Sequence, residues 1–227
     1  MIIMKKYITL AALLAAGTTF ANAETIEFGI ERSGDTITFS ELDATSFELA
    51  YTNWAYNGSG NYNDGAWQTP TNAAYQNTFS PDAQLRSGTT DSWTMKFTFT
   101  NNGTEDVVLT QFAFDCYGIN GGGSDKNAAI PVTLTLGYNG ESVSSSEFNL
   151  GYGGQTSAGT ISFGEGGLEV SAGGSVEFAL TMGGAKSYNT YSGITGGSFT
   201  TIPEPSAFGM LAGLGALALV ASRRRRK

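Results

Sequence analysis

The chain has 227 residues, with 20 acids, 12 bases, no histidine and a formal net charge of −8; only 14% of its residues are charged and 31 are glycine. The absence of histidine excludes Ser-His-Asp and Cys-His catalysis and an imidazole zinc site, and a single cysteine, Cys116, excludes an intramolecular disulfide and any CxxC motif. Phosphate neutralisation demands Lys or Arg clustered on a folded surface, which an acidic chain with few bases is poorly suited to supply, so no nucleic-acid partner is predicted.

At the N-terminus Lys5 and Lys6 precede an apolar run from Tyr7 to Phe20, and Ala21-Asn22-Ala23 follows. A basic start, a short apolar stretch and a small-x-small ending are what signal peptidase reads. Residues 1–23 are predicted to be a signal peptide, with Ala21 and Ala23 as the small residues of the cleavage site, signal peptidase as partner and export as the outcome.

From Glu24 onward the pattern has period two. Ile26, Phe28 and Ile30 alternate with Glu27, Gly29 and Glu31; Ile37 and Phe39 alternate with threonines; Phe47, Leu49 and Tyr51 continue the series. The clearest strand is Trp93 to Thr100, with four large apolar residues on one face and threonines and a lysine on the other. Asn102-Gly103 gives a hairpin signal before Val107 to Phe114, Asn139-Gly140 ends a strand through Val132 and Leu136, and Gly173-Gly174 predicts a second hairpin between Leu168-Val170 and Val176 to Met182. No stretch between Glu24 and Ile202 has a sustained helical period. Eight to ten short strands with polar turns predict an all-β fold, an antiparallel β-sandwich of jelly-roll or Ig-like form, as one domain over residues 24–202. That segment holds 19 acids against Arg32, Arg86, Lys96, Lys126 and Lys186, a net charge of −14, which disfavours anionic polymers as partners.

A sandwich is a scaffold, so function is expected in loops. Asn53 to Gln76 gathers Trp54, Tyr56, Tyr62, Trp67 and Tyr75 among asparagines and glycines. Exposed rings stack on sugar faces while amides and carboxylates bond hydroxyls, so Trp54, Tyr56, Tyr62 and Trp67 form a candidate glycan-binding set. The other reading of the same rings is a lid packed on the sandwich core. The glycine-rich Tyr117 to Asn127 has neither a P-loop ending nor a following helix. It and Asn61 to Gly65 offer oxygen ligands of the kind calcium favours, but neither fits the EF-hand template, and no metal site or cofactor is predicted. Cys116 has no activating base beside it and reads as a small buried hydrophobe. The scattered acids form no local catalytic motif, so no enzyme is predicted, although two carboxylates would suffice for glycoside hydrolysis.

At the C-terminus, Pro203-Glu204-Pro205 precedes Ser206 to Ser222, a charge-free stretch of 17 residues, and Arg223, Arg224, Arg225, Arg226 and Lys227 close the chain. As a helix the stretch would be about 26 Å long, a short membrane span, with the basic cluster as a stop-transfer signal held on the cytoplasmic side. The prolines remove backbone donors and keep the chain extended ahead of it. One C-terminal transmembrane helix is therefore expected.

This tripartite tail, together with the export signal, closely resembles the PEP-CTERM sorting signal of exopolysaccharide-producing Gram-negative bacteria. The same segment is also known as an ice-binding-protein C-terminal motif, a label that names the tail. The resemblance covers about residues 202–227 together with the export signal, with the sorting signal proper at 203–227, and it implies recognition by an exosortase, an integral-membrane sorting enzyme. It further implies anchoring in the inner membrane in transit, then the cell surface or extracellular matrix. The expected function is that of an exported surface or matrix protein with a structural or adhesive role linked to exopolysaccharide. A lectin-like, glycan-binding module is the alternative, and a glycoside hydrolase is a distant third.

Overall fold

The computed structural model describes residues 23–40, 46–58, 66–120, 130–151, 156–184 and 190–203. Twelve strands form among them: β1 (Glu24–Ser33), β2 (Thr36–Ser40), β3 (Phe47–Asn57), β4 (Ser92–Asn101), β5 (Val107–Asn120), β6 (Ile130–Tyr138), β7 (Glu141–Ser144), β8 (Phe148–Leu150), β9 (Ser157–Ser162), β10 (Leu168–Val170), β11 (Ser175–Gly183) and β12 (Thr190–Pro203). The fold is an all-β, antiparallel, two-sheet sandwich, and Glu24–Thr201 forms one compact unit. The count exceeds the sequence expectation because β7 and β8 are pieces of four and three residues, too short to carry a periodic pattern. Among the described residues no helix is long and apolar enough to cross a membrane; the expected span 206–222 lies outside them.

The first sheet has the order β10-β5-β12-β1-β2, with β9 also on β5; the second has the order β3-β4-β11-β6-β7, with β8 also on β6. Strict alternation sends every second side chain between the sheets, as in β4, where Trp93, Met95, Phe97 and Phe99 are all buried. The same rule buries Val176, Phe178, Leu180 and Met182 on β11 and Ile26, Phe28 and Ile30 on β1. Phe199 of β12 collects the rings. Its centroid lies 4.9 Å from Phe112, 5.2 Å from Phe99, 5.4 Å from Phe178, 6.1 Å from Phe28 and 6.5 Å from Phe97. Those five rings come from β5, β4, β11 and β1, so one residue ties both sheets together.

Of the three expected turns, Asn139-Gly140 joins paired strands. Both residues have positive φ, 48° and 81°, and they link β6 to β7 as a two-residue hairpin. The other two are crossings between sheets and not hairpins: β4 and β5 lie in opposite sheets, as do β10 and β11. A buried asparagine accounts for both. The Asn101 amide donates to Glu105 O at 2.9 Å and to Val170 O at 3.1 Å, and its carbonyl accepts from Gly103 N at 3.0 Å. Its backbone exchanges bonds with the other crossing, donating to Gly174 O at 3.0 Å and accepting from Gly173 N at 2.8 Å. The side chain thus satisfies carbonyls that a ladder would otherwise hold, and the two crossings are stitched together at one place.

Two substitutions test this account. Phe199→Ala removes the ring shared by both sheets and is expected to cost about 3–5 kcal/mol in denaturant unfolding. Asn101→Ala leaves buried carbonyls without donors and is expected to cost about 1–3 kcal/mol in the same assay.

Candidate functional site

The sandwich has two distinct ends. At one, β1 begins and β12 finishes side by side: Glu24 pairs with Thr201, whose Oγ1 donates to Glu24 O at 3.4 Å. The backbone of Pro203 is the last residue of β12, so the chain leaves the first sheet from a central strand. Ala23 is exposed immediately before β1. Ala21, Glu204, Pro205 and the basic cluster Arg223 to Lys227 lie outside the described residues.

The opposite end carries the long β3–β4 connection and most of the aromatic segment. A β-bulge decides where its rings go. Tyr51 pairs with Phe97 and Asn53 with the adjacent Lys96, so Thr52 is an extra residue in β3. An inserted residue reverses the in-out alternation of everything after it. Leu49 and Tyr51 face the core, and the bulge makes Trp54 and Tyr56 face it too, opposite Met95 and Trp93. Trp54 is 6% exposed. Without the bulge, both rings would stand on the outer surface.

Trp67 follows the same course. Its ring packs 6.0 Å from Trp54 and edge-on to Phe79 at 5.5 Å. Both indole N–H groups are buried without a partner among the described residues, so ring packing holds the pair. The Tyr56 hydroxyl donates to Gln84 O at 3.3 Å. The structure therefore brings Trp54, Tyr56 and Trp67 to one end of the domain, turned largely inward; Tyr62 lies outside the described residues. Tyr75, also in the segment, is buried and stacks on Tyr117 at 4.1 Å, whose hydroxyl bonds those of Thr78 at 2.8 Å and Ser80 at 2.6 Å.

The residue that organises this end is Arg32 of β1. Its guanidinium donates to Gln68 O at 3.4 Å and Gln76 O at 3.2 Å and lies 5.4 Å from the centre of the Trp67 ring. Its backbone N–H also donates to Asn77 O. Gln68 in turn donates to Asp82 Oδ1 at 2.7 Å. One half-buried cation thereby ties residues 67–77 to β1, combining hydrogen bonds with a cation–π contact. Burial lowers the affinity of the guanidinium for its proton, and Tyr117 and Asp35 oppose that shift. Nothing in the period-two pattern marked Arg32. The available signal was its charge, one of five cations in a strongly acidic domain.

Beside this clamp, between the β1–β2 hairpin and residues 74–78, lies a cavity of about 630 Å³ lined by Glu31, Arg32, Ser33, Thr38, Asn77 and Thr78 among others. Its walls mix donors and acceptors with one charge of each sign. Among the described residues no three His, Cys, Asp or Glu side chains group to hold a metal ion. Cys116 is buried, and desolvation, with Asp115 adding to it, pushes its thiol well above the usual range. Burial also raises the Asp115 carboxyl.

Comparison with known proteins bears on the C-terminal end of the chain more than on this site. The family model for the PEP-CTERM protein-sorting motif matches residues 201–226. The chain thus carries a PEP-CTERM sorting motif, and such a motif implies recognition by an exosortase and export to the cell surface. No curated protein matches the sequence. Among solved structures, TmCBM61 in complex with β-1,4-galactotriose is similar with a TM-score of 0.32 and 10% identity, over 66% of this chain and 88% of that one. Arabinose-bound MgGH51 α-L-arabinofuranosidase gives a TM-score of 0.32 and 12% identity, over 77% of this chain but only 27% of its own.

Two measurements check this geometry. Deleting Thr52 should remove the bulge while leaving Asn53 opposite Lys96, so Trp54 and Tyr56 should stay inward and tryptophan emission should keep its wild-type position, whereas a red shift would show that this register does not seat the rings. Cys116 should resist alkylation of the native protein at pH 8 and react within minutes once denaturant is added, since only the thiolate attacks.

Proposed function

We propose that this is an exported cell-surface or extracellular-matrix protein with a structural and adhesive role linked to exopolysaccharide, and that it is not an enzyme. The observation that carries the reading is the continuity of the sorting motif with the fold: the matched segment starts at residue 201, inside the central strand β12. The sorting motif thereby begins within a strand of the sheet itself. In this reading signal peptidase cuts after Ala23, the segment 206–222 anchors the chain in the inner membrane in transit, Arg223 to Lys227 stay cytoplasmic, and an exosortase reads Pro203-Glu204-Pro205. The burial of Trp54, and the packing of the partly buried Trp67 against Trp54, Phe79 and the Arg32 guanidinium, favour a structural over a lectin-like role for the aromatic segment, because a ring covered by its neighbours offers little face to a sugar.

The second reading, a glycan-binding module, is favoured by the cavity beside Arg32, whose mixed polar walls suit a neutral hydroxylated ligand. Fractionation of an exosortase-bearing host tests the first reading. The full-length chain should reach the surface and matrix fraction, while a variant with Pro203, Glu204 and Pro205 all replaced by Ala should stay in the inner membrane. Equal matrix delivery of both would overturn it. Saturable glycan binding that disappears in Arg32→Ala would establish the second.

A further inference from the structure

Arg32 is the one cation among the described residues that meets no acid. Arg86 Nε lies 3.6 Å from Asp91 Oδ2 and Lys96 Nζ lies 3.5 Å from Glu177 Oε1, whereas no described carboxylate comes within ion-pair distance of the Arg32 guanidinium. Asp35 acts on it only from beyond that range. A charge taken out of water is normally paired, and Arg32 is half-buried in a domain rich in acids. The missing counter-charge is what points to a ligand. The donors of Arg32 are also only partly spent. A guanidinium carries five N–H groups, of which one goes to Gln68 O and one to Gln76 O. Neither glutamine lines the cavity of about 630 Å³ beside the clamp, whereas Arg32 does.

The rest of the wall selects among anions. Ser33 and Thr38 bring hydroxyls and Asn77 brings an amide, groups that match the hydroxyls of a sugar ring, while Ile30 and Ala74 give little apolar surface for the side chains of a peptide. Glu31 stands on the same wall. It repels a second negative charge, so one carboxylate is accepted more readily than a dianionic phosphate ester or a run of acid groups. A guanidinium meets a carboxylate with two parallel N–H bonds, which are stronger than bonds to a hydroxyl. The volume is that of an ordinary small-ligand site.

We propose that the cavity beside Arg32 binds the terminal uronate of a glycan, with its single carboxylate on the guanidinium and its ring hydroxyls on Ser33, Thr38 and Asn77. This rests on the glycan-binding reading above and gives the hydroxylated ligand of that reading one negative charge. A polyanion is still held off by the acids of the domain, so the cavity reads a chain end and not a run of acids. The test is a ligand-observed NMR titration of the detergent-solubilised full-length chain with methyl glucuronide, methyl glucoside, glucose 6-phosphate and acetate. Methyl glucuronide should bind saturably and at least tenfold tighter than methyl glucoside or glucose 6-phosphate, and acetate at equal concentration should not displace it. Arg32→Ala should abolish the binding, and Arg32→Lys, which keeps the charge without the fork, should weaken it severalfold. Because Arg32 also holds residues 67–77, the independent variant is Glu31→Gln, at an exposed position outside the clamp. It should tighten methyl glucuronide severalfold and leave methyl glucoside unchanged. Equal affinity for the two glycosides, displacement by acetate, or an unchanged glucuronide affinity in Glu31→Gln would overturn the proposal. Saturable, Arg32-dependent binding of other glycans with no preference for the glucuronide sinks this inference alone, whereas no binding to any member of a glycan panel sinks the reading beneath it as well.

Discussion

Six phenylalanine rings from five strands meet around Phe199, and the sandwich is organised by that meeting. Five of the six come from β1, β4, β5 and β11, so neither sheet can shift against the other without separating aromatic surfaces. Aromatic contacts of this kind add to the area they bury because each ring pair finds an offset or edge-on geometry. The chain has no disulfide to fall back on, its one thiol being buried in the same core. Close approach is secured by glycine: a Cβ on Gly197, two residues before Phe199, would come within 2.4 Å of Ala113 O on β5 and 2.9 Å of the Phe28 ring.

The sandwich was legible because alternation is a property of the strand itself. Each of β1, β4, β6 and β11 carries its buried residues two apart, and that spacing is visible in the letters. What was not legible depended on partners remote in sequence. The Thr52 bulge exists only relative to β4, and it alone decides that Trp54 and Tyr56 face inward. Asn102-Gly103 and Gly173-Gly174 have the letters of hairpins, yet Asn101 uses them to carry the chain between sheets. Arg32 was visible only as a charge, since its role requires carbonyls 36 and 44 residues away. The sorting tail is the opposite case: its order along the chain is the signal, so it could be read without the fold.

The two ends of the domain are built differently. One end gives way to the sorting motif through β12, and the other is locked by Arg32 and the hydroxyl cluster around Tyr117.

The pairing of Glu24 with Thr201 also fixes when the molecule can fold. The first sheet needs β12 between β5 and β1, and β12 is the last strand to be synthesised. Until Phe199 emerges, β1 has no neighbour on one side and the core lacks the ring on which the others converge. Closing a loop that spans nearly the whole domain is slow, as non-local topologies are. A chain whose last described strand completes its centre cannot close its first sheet until that strand has been made.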